Sequence, residues 1–205
     1  MQFERIVQDR RSVKHYDPSY RLSDEDLRRL FSTVILSPSS FNLQHWRFVV
    51  VRDLERKKAL RKAAYDQEQV EKASAVILVA ARLAAHEDAD RIYRDVPEKV
   101  RSAMLPMIRG FYEGRPDLQR DEAIRSASLA AMTLMFAAQN QGLATGPMIG
   151  FDPEAVSSLL GLEPGHIPVM LVVIGKPVGE MRSRGSRLPL PEVVKLESWT
   201  GASLS

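Results

Sequence analysis

From Ser126 to Leu143 the chain runs through eighteen residues without a charge. No other stretch restricts the fold as much. Ala, Leu and Met dominate it, with Ser128, Thr133, Gln139, Asn140 and Gln141 scattered among them. Its apolar part falls well short of the ~20 residues that a membrane span requires. A helix that is apolar all round must then be buried in protein. The segment Asp121 to Gln141 therefore reads as the central helix of the core, stopped by Gly142. At 205 residues the chain can bury a full-sized core without staples. We expect one domain over 1–205, with residues 176–205 as a proline-bearing arm that packs on a partner subunit.

Layers around that helix are legible from periodicity. Ser23-Asp24-Glu25-Asp26 forms a capping-box pattern with Asp in the return position. Leu27, Leu30, Phe31, Val34 and Ile35 follow at helical spacing, and Pro38 is read as the stop. Trp46 to Val51 has the aromatic and β-branched content of a strand. Leu54 to Ala64 is a charged amphipathic helix, and Ala75 to Ala81 a short apolar run suited to a buried strand. Residues 86–116, broken by Pro97, Pro106, Gly110 and Gly114, predict a lid or an irregular helical pair. Asp152-Pro153 opens another helix that Gly161 closes. Val169 to Ile174 is a third strand, and Val193 to Leu196 a possible short one in the arm. Strands interleaved with helices imply an α+β or α/β layered fold.

Composition removes several functions at once. Cysteine is absent, so disulfides, thiolate nucleophiles and Cys-type metal sites drop out. The four histidines, His15, His45, His86 and His166, show no paired metal spacing. Neither a Rossmann glycine fingerprint, a P-loop nor a nucleophile elbow is present. The N-terminal charges of Glu4 and Arg5 stand where a signal peptide places its apolar core, so a cytoplasmic location, with no membrane partner, is expected. A net charge of +3 is too diffuse to argue for nucleic acid, and only Trp46 and Phe48 stand near basic residues as stacking aromatics.

Three polar loops remain at the ends of apolar elements. The first is Arg10-Arg11-Ser12-Val13-Lys14, after a short helix with Phe3, Ile6 and Val7 on one face. The second runs from Ser37 to Trp46 and is rich in hydroxyls and amides. The third, Gly142 to Asp152, reads as a glycine-rich loop that allows a ligand close to the backbone.

Taken in order, these segments resemble the nitroreductase family of FMN-dependent oxidoreductases. R-x-S-x-K stands near the N-terminus, and P-S-S-x-N-x-Q-x-W leads into the first central strand. Ala73-Ser74 precedes the next strand, G-L-x-T-x-P-x-x-G-F-D follows the long helix, and S-R-L-P closes at Ser186 to Pro189. Each motif alone is weak; five in order and at the right spacing are specific. The resemblance implies an α+β, three-layer α/β/α sandwich with a mostly antiparallel central sheet, assembled as a domain-crossing homodimer with FMN at the interface.

The same resemblance implies roles residue by residue. Arg187 would hold the phosphate and Arg10 the phosphate or ribityl oxygens, with Arg11 and Arg184 in support; guanidinium forks are well shaped for a phosphate. Ser12 belongs to the first motif. Lys14 would lie at the flavin N1/O2 edge, where its charge favours the reduced form. Pro38, Ser39, Ser40 and Asn42 match a loop given to the partner's flavin, and Gln67 and Gln69 precede Ala73-Ser74 at the pyrimidine edge. Pro147, Met148, Ile149 and Gly150 match the segment under the ring, with a backbone N–H toward N5. Chemistry carried by the cofactor explains why no catalytic residue of the chain itself is found. NADH or NADPH would donate electrons, and a nitroaromatic, quinone or related small molecule would accept them in ping-pong turns. A flavin-binding protein without turnover is the alternative.

The chain also departs from the family pattern. Ile149 stands where some members carry glutamate, so no acid is assigned there. Gly185 replaces a lysine near Arg187, His45 replaces a common proline, and Gln69 stands where certain members have a second lysine. The flavin site therefore carries less positive charge than in those relatives.

Overall fold

The computed structural model describes residues 2–204. Its centre is an antiparallel sheet of β1 (Trp46–Val51), β2 (Ala75–Arg82), β3 (Ala144–Met148) and β4 (His166–Gly175), in the order β1-β2-β4-β3. Alternate residues of β2 serve opposite faces, as strand geometry requires. Ala75, Ile77, Val79 and Ala81 face a core shared with α2 (Asp24–Val34) and α7 (Pro116–Asn140). Val76, Leu78 and Ala80 face a second core built with α3 (Leu54–Ala63), α4 (Glu68–Lys72) and α8 (Pro153–Leu160). The result is an α+β sandwich of three layers, with helices on both faces of the sheet.

The short helix α1 (Phe3–Asp9) buries only Ile6; Phe3 packs edge-on against Phe136 of α7, ring centroids 5.4 Å apart. A smaller third core joins Leu43, Ala85, Ala89, Ile108 and Tyr112 beneath α5 (Ala89–Ile92) and α6 (Glu98–Tyr112). The arm carries the single-turn helix α9 (Leu190–Val193). Among the described residues no helix is long and apolar enough to cross a membrane.

Local chemistry sets the boundaries. Ser23 and Asp26 form the capping box, each side chain accepting the other's backbone N–H at 3.1 and 3.0 Å. α2 stops at Val34, short of Pro38, because Leu36 and Ser37 tighten into turns and the Ser37 hydroxyl donates to the Val34 carbonyl at 2.7 Å. At the end of α7, Leu143 N–H bonds the Ala138 carbonyl and Gly142 N–H the Gln139 carbonyl, with Gly142 at φ +69°. That Schellman closure needs the left-handed conformation that glycine adopts freely.

Several expectations are corrected. α7 starts at Pro116, five residues earlier than charge patterning indicates, since Pro fits the first helical turn. Pro106 and Gly110 lie inside α6 and do not break it. β4 begins at His166, its Pro168 being tolerated because β3 pairs only with Leu171 to Gly175. The segment Val193 to Leu196 is not a strand: its first residue ends α9, and the chain then turns back through a Lys195–Ser203 bridge.

The largest correction concerns Gly142 to Asp152, which is an edge strand over Ala144–Met148 and not a loop. Pro147 is compatible with an edge, where one side of the backbone lacks a sheet neighbour. Gly146 is there for space: an added Cβ would sit 2.9 Å from the Val13 carbonyl oxygen and 2.9 Å from Val173 Cγ2. Gly146→Ala is therefore expected to destabilise the fold by about 1–3 kcal/mol. Gly110→Ala, in a helix interior with nothing within 4 Å of the new carbon, should stabilise it by about 0.5–1 kcal/mol. Thermal unfolding of the two variants tests this pair, and equal shifts would refute the packing account of Gly146.

Candidate functional site

The first polar loop is an extended segment laid along β3. Val13 N–H donates to the Thr145 carbonyl at 3.0 Å, and Ser12 bridges Thr145 in parallel register. Val13 and Tyr16 turn into the core, and the Tyr16 hydroxyl donates back to the Val13 carbonyl at 3.0 Å. Burial pushes that phenol well above its ordinary pKa. Alternation then leaves Ser12 and Lys14 facing outward.

Beside this segment four guanidinium groups converge. Arg184 donates through Nη2 to the carbonyls of Val7, Gln8 and Arg10 at 2.8, 3.1 and 3.0 Å. Arg11 donates to Gln8 and Arg10 carbonyls, and Arg187 to those of Gly185 and Ser186 at 3.1 and 3.0 Å. Arg10 is different: its Nη1 is buried and without a hydrogen-bond partner among the described residues. Burial lowers its pKa most, followed by the charges of Arg184, Arg11 and Arg187. None of the four forms an ion pair among the described residues. An orphaned, part-buried guanidinium amid like charges calls for an anion. Arg184 is here mainly a cap on the carbonyls that end α1.

A second group forms past the far end of β3. Gln67 Nε2 donates to the Gly150 carbonyl at 2.9 Å, and Gln69 Nε2 donates to Gln67 Oε1 at 3.0 Å and approaches Met148 Sδ at 3.8 Å. An added Cβ on Gly150 would lie 3.2 Å from Gln67 Nε2, so glycine lets the amide approach. Tyr65 and Asp66 precede this group in left-handed conformation, φ +52° and +57°. Ile149 projects with 79 % of its surface exposed, and Pro147 is half-buried. Lys14 and Gln69 line one cavity of about 390 Å³ with Tyr16 and Lys72.

Pro38, Ser39, Ser40 and Asn42 are not brought to these residues within one chain. They lead into β1, at the opposite edge of the sheet from β3, about 14 Å away across three strand spacings. Phe41, Asn42 and Gln44 all take positive φ, at +50°, +54° and +51°, a costly run for two bulky residues. The Tyr93 hydroxyl holds the Phe41 carbonyl at 3.0 Å, Tyr112 donates to Ser40 Oγ at 2.8 Å, and Ser39 Oγ accepts from Gln44 N–H at 2.9 Å. Beneath lie His45 and His86, with His86 stacked on Tyr112 at 5.5 Å. Sequence reading missed Tyr93, Tyr112 and His86 as supports, because residues 86–116 carry no motif. The only signal was the loop's own need for partners.

The Nitroreductase family model matches residues 7–176 of this chain. Protein DrgA of Synechocystis sp. is 41% identical over 200 residues, covering 95% of each chain. The NADH dehydrogenase of Thermus thermophilus is 37% identical over 192 residues, covering 90% of this chain and 91% of its own. A protein of Exiguobacterium sibiricum solved in complex with FMN superposes with a TM-score of 0.90 at 32% identity, over 96% of this chain and 98% of that one.

The buried imidazole gives a pH prediction. Burial lowers the His45 pKa from 6.5 to about 4, with Glu122 opposing and Arg47 assisting. The unfolded chain then binds more protons between those values, so stability rises with pH across the window. The contribution is present above about pH 6.5 and lost as pH falls toward 4, amounting to about 3 kcal/mol. Urea unfolding of wild type and His45→Leu between pH 4.5 and 7 checks it; equal slopes for the two proteins would exclude His45 as the source.

Proposed function

The chain belongs to the nitroreductase family, and we propose that it is an FMN-dependent oxidoreductase. In this reading it takes hydride from NADH or NADPH and passes it to nitroaromatic, quinone or related acceptors in ping-pong turns. The carrying observation is Arg10: among the described residues its buried Nη1 lacks a partner, in a cluster of four arginines without ion pairs. The FMN complex of the Exiguobacterium relative and the name of the Thermus relative support the cofactor and the donor.

The residues fit such a group. Arg10, Arg11 and Arg187 would take the terminal phosphate, with Arg184 holding the α1 carbonyls behind them. Ser12 and Lys14 face outward on the same extended segment, so Lys14 can present its charge to the pyrimidine edge. Gln69 offers its amide on the cavity that Lys14 lines, and Gln67, which accepts from Gln69, is fixed by Gly150. Pro147, Met148, Ile149 and Gly150 would supply a backbone wall; no protein acceptor engages the Gly150 N–H among the described residues. Bound FMN would supply the two-electron chemistry, so the chain needs no nucleophile of its own. The side chain of Ile149 can exclude water but cannot move a proton.

A homodimer completes this reading. The Pro38–Asn42 loop lies too far from Arg10 to serve the same chain's site and would serve the partner's. The arm's Leu188, Leu190 and Val193 are exposed and Trp199 is 92 % exposed, an apolar surface of the kind partners cover.

Purified protein should be yellow, release FMN and no FAD on heating, and bleach anaerobically on addition of NADH or NADPH. A colourless protein that takes up no FMN would refute the reading, and a yellow one that neither donor bleaches would limit it to flavin binding. Lys14→Met should stay yellow but be reduced more slowly, its potential lowered by on the order of 30 mV. An unchanged potential and rate would make Lys14 a surface residue.

A further inference from the structure

A second cluster of cations lies outside the site described above. Arg21, Arg52, Lys57, Lys72 and Ser74 line a cavity of about 330 Å³. Lys57, on α3, is only 7 % exposed. Its ammonium has one protein partner, the Ala73 carbonyl at 2.6 Å, and no carboxylate at ion-pair distance among the described residues. Burial lowers its proton affinity most and the charge of Arg21 lowers it further, against Glu71 and Asp53, which raise it from beyond ion-pair distance. Holding a carbonyl does not require a buried ammonium, which is costly to desolvate without a counter-charge.

The other groups are accounted for. Arg21 donates through Nη1 to the Pro18 and Tyr20 carbonyls, and its Nε and Nη2 have no acceptor among the described residues. Arg52 holds the Leu22 carbonyl at 3.0 Å and Asp24 at 2.7 Å. Glu71, the one carboxylate lining this cavity, is drawn to Arg61 at 3.1 Å. Ser74 Oγ donates to the Tyr20 carbonyl at 3.0 Å. Positive charge is in excess, and part of it is buried.

We propose that this cavity is a second anion site, separate from the Arg10 cluster, and that it takes a phosphate group. Guanidinium and ammonium donors together suit a dianion better than a single carboxylate. Lys72 also lines the cavity of Lys14 and Gln69, so an occupant anchored here can extend toward that site. Two sources share the chemistry: free inorganic phosphate, and the 2′-phosphate that distinguishes NADPH from NADH. The second source rests on the donor reading above.

Calorimetric titration of the purified protein with its flavin, at fixed ionic strength, decides the matter. The probes are inorganic phosphate, adenosine 2′,5′-bisphosphate and adenosine 5′-monophosphate. Saturable binding of phosphate or the bisphosphate is expected, weakened about tenfold or more in Arg21→Gln and in Lys57→Met. Bisphosphate binding well above both other probes, with KM raised in Arg21→Gln for NADPH and not for NADH, identifies the donor. Equal binding of bisphosphate and inorganic phosphate, with both KM values unchanged, identifies the free anion. No saturable binding, or binding that Arg21→Gln leaves intact, overturns the site. Should Lys57→Met fail to fold, Arg21→Gln and Lys72→Gln on the exposed rim carry the test. A protein without flavin would refute the proposed function alone, since the Arg21 and Lys72 variants still report this cavity.

Discussion

The close contact between Val13 and Gly146 governs the geometry of the whole candidate site. Where the chain leaves α1 it must lie flat against β3, and the hydrogen bond from Val13 to Thr145, with the Ser12–Thr145 bridge, sets its register. That register sends Val13 inward and Ser12 and Lys14 outward. It also carries Arg10 to the place where Arg11, Arg184 and Arg187 meet it. A side chain on Gly146 would push the segment off the edge, and with it every polar group that the segment presents. The site is thus assembled on a rigid strand edge, where a cradle can be held to a fraction of an ångström.

The edge is rigid because the sheet behind it is buried on both faces. β2 is apolar on each side and lies between α2 and α7 on one face and α3, α4 and α8 on the other. Small residues make this close packing possible along α7, where Ala123, Ala127, Ala130, Ala131 and Ala138 are fully buried. The helix whose apolar part is too short for a membrane serves here as a thin plate against which a sheet can sit. Polar groups are left only at the strand ends and edges.

Much of this is legible in the amino-acid sequence. The strands Trp46 to Val51 and Ala75 to Ala81, the capping box at Ser23 and the stops at Gly142 and Gly161 follow from local chemistry, which neighbouring layers reinforce. β3 was not legible, because Gly146 and Pro147 argue locally for a loop and only the approach of Val13 explains them. Left-handed Phe41 and Gln44 were hidden for a similar reason. Tyr93 holds the Phe41 carbonyl and Tyr112 the Ser40 hydroxyl, each more than fifty residues away in sequence, while Gln44 N–H is held by Ser39 Oγ. The motif residues Arg10, Lys14, Gln69 and Gly150 are singled out in the sequence by resemblance, whereas the capping role of Arg184 depends on where the fold sets its Nη2. Lys57 carried no sequence signal, because charge on an amphipathic helix usually faces solvent, and neither did Arg21, an isolated arginine in the irregular segment ahead of α2.

The third core has a different bearing on the life of the molecule. Leu43, Ala85, Ala89, Ile108 and Tyr112 pack with one another and not with the two cores at the sheet. Arg101 and Arg109 clip α6 to Asp90 at its outer side. Such a unit opens at a lower free energy than the sheet does, as small cooperative units within a larger fold generally do. It can also exchange residues over generations without disturbing the edge that holds the arginines. Diversification over 85–112 is therefore separable from inheritance of the cradle, and a lineage can reshape one while the other stays fixed.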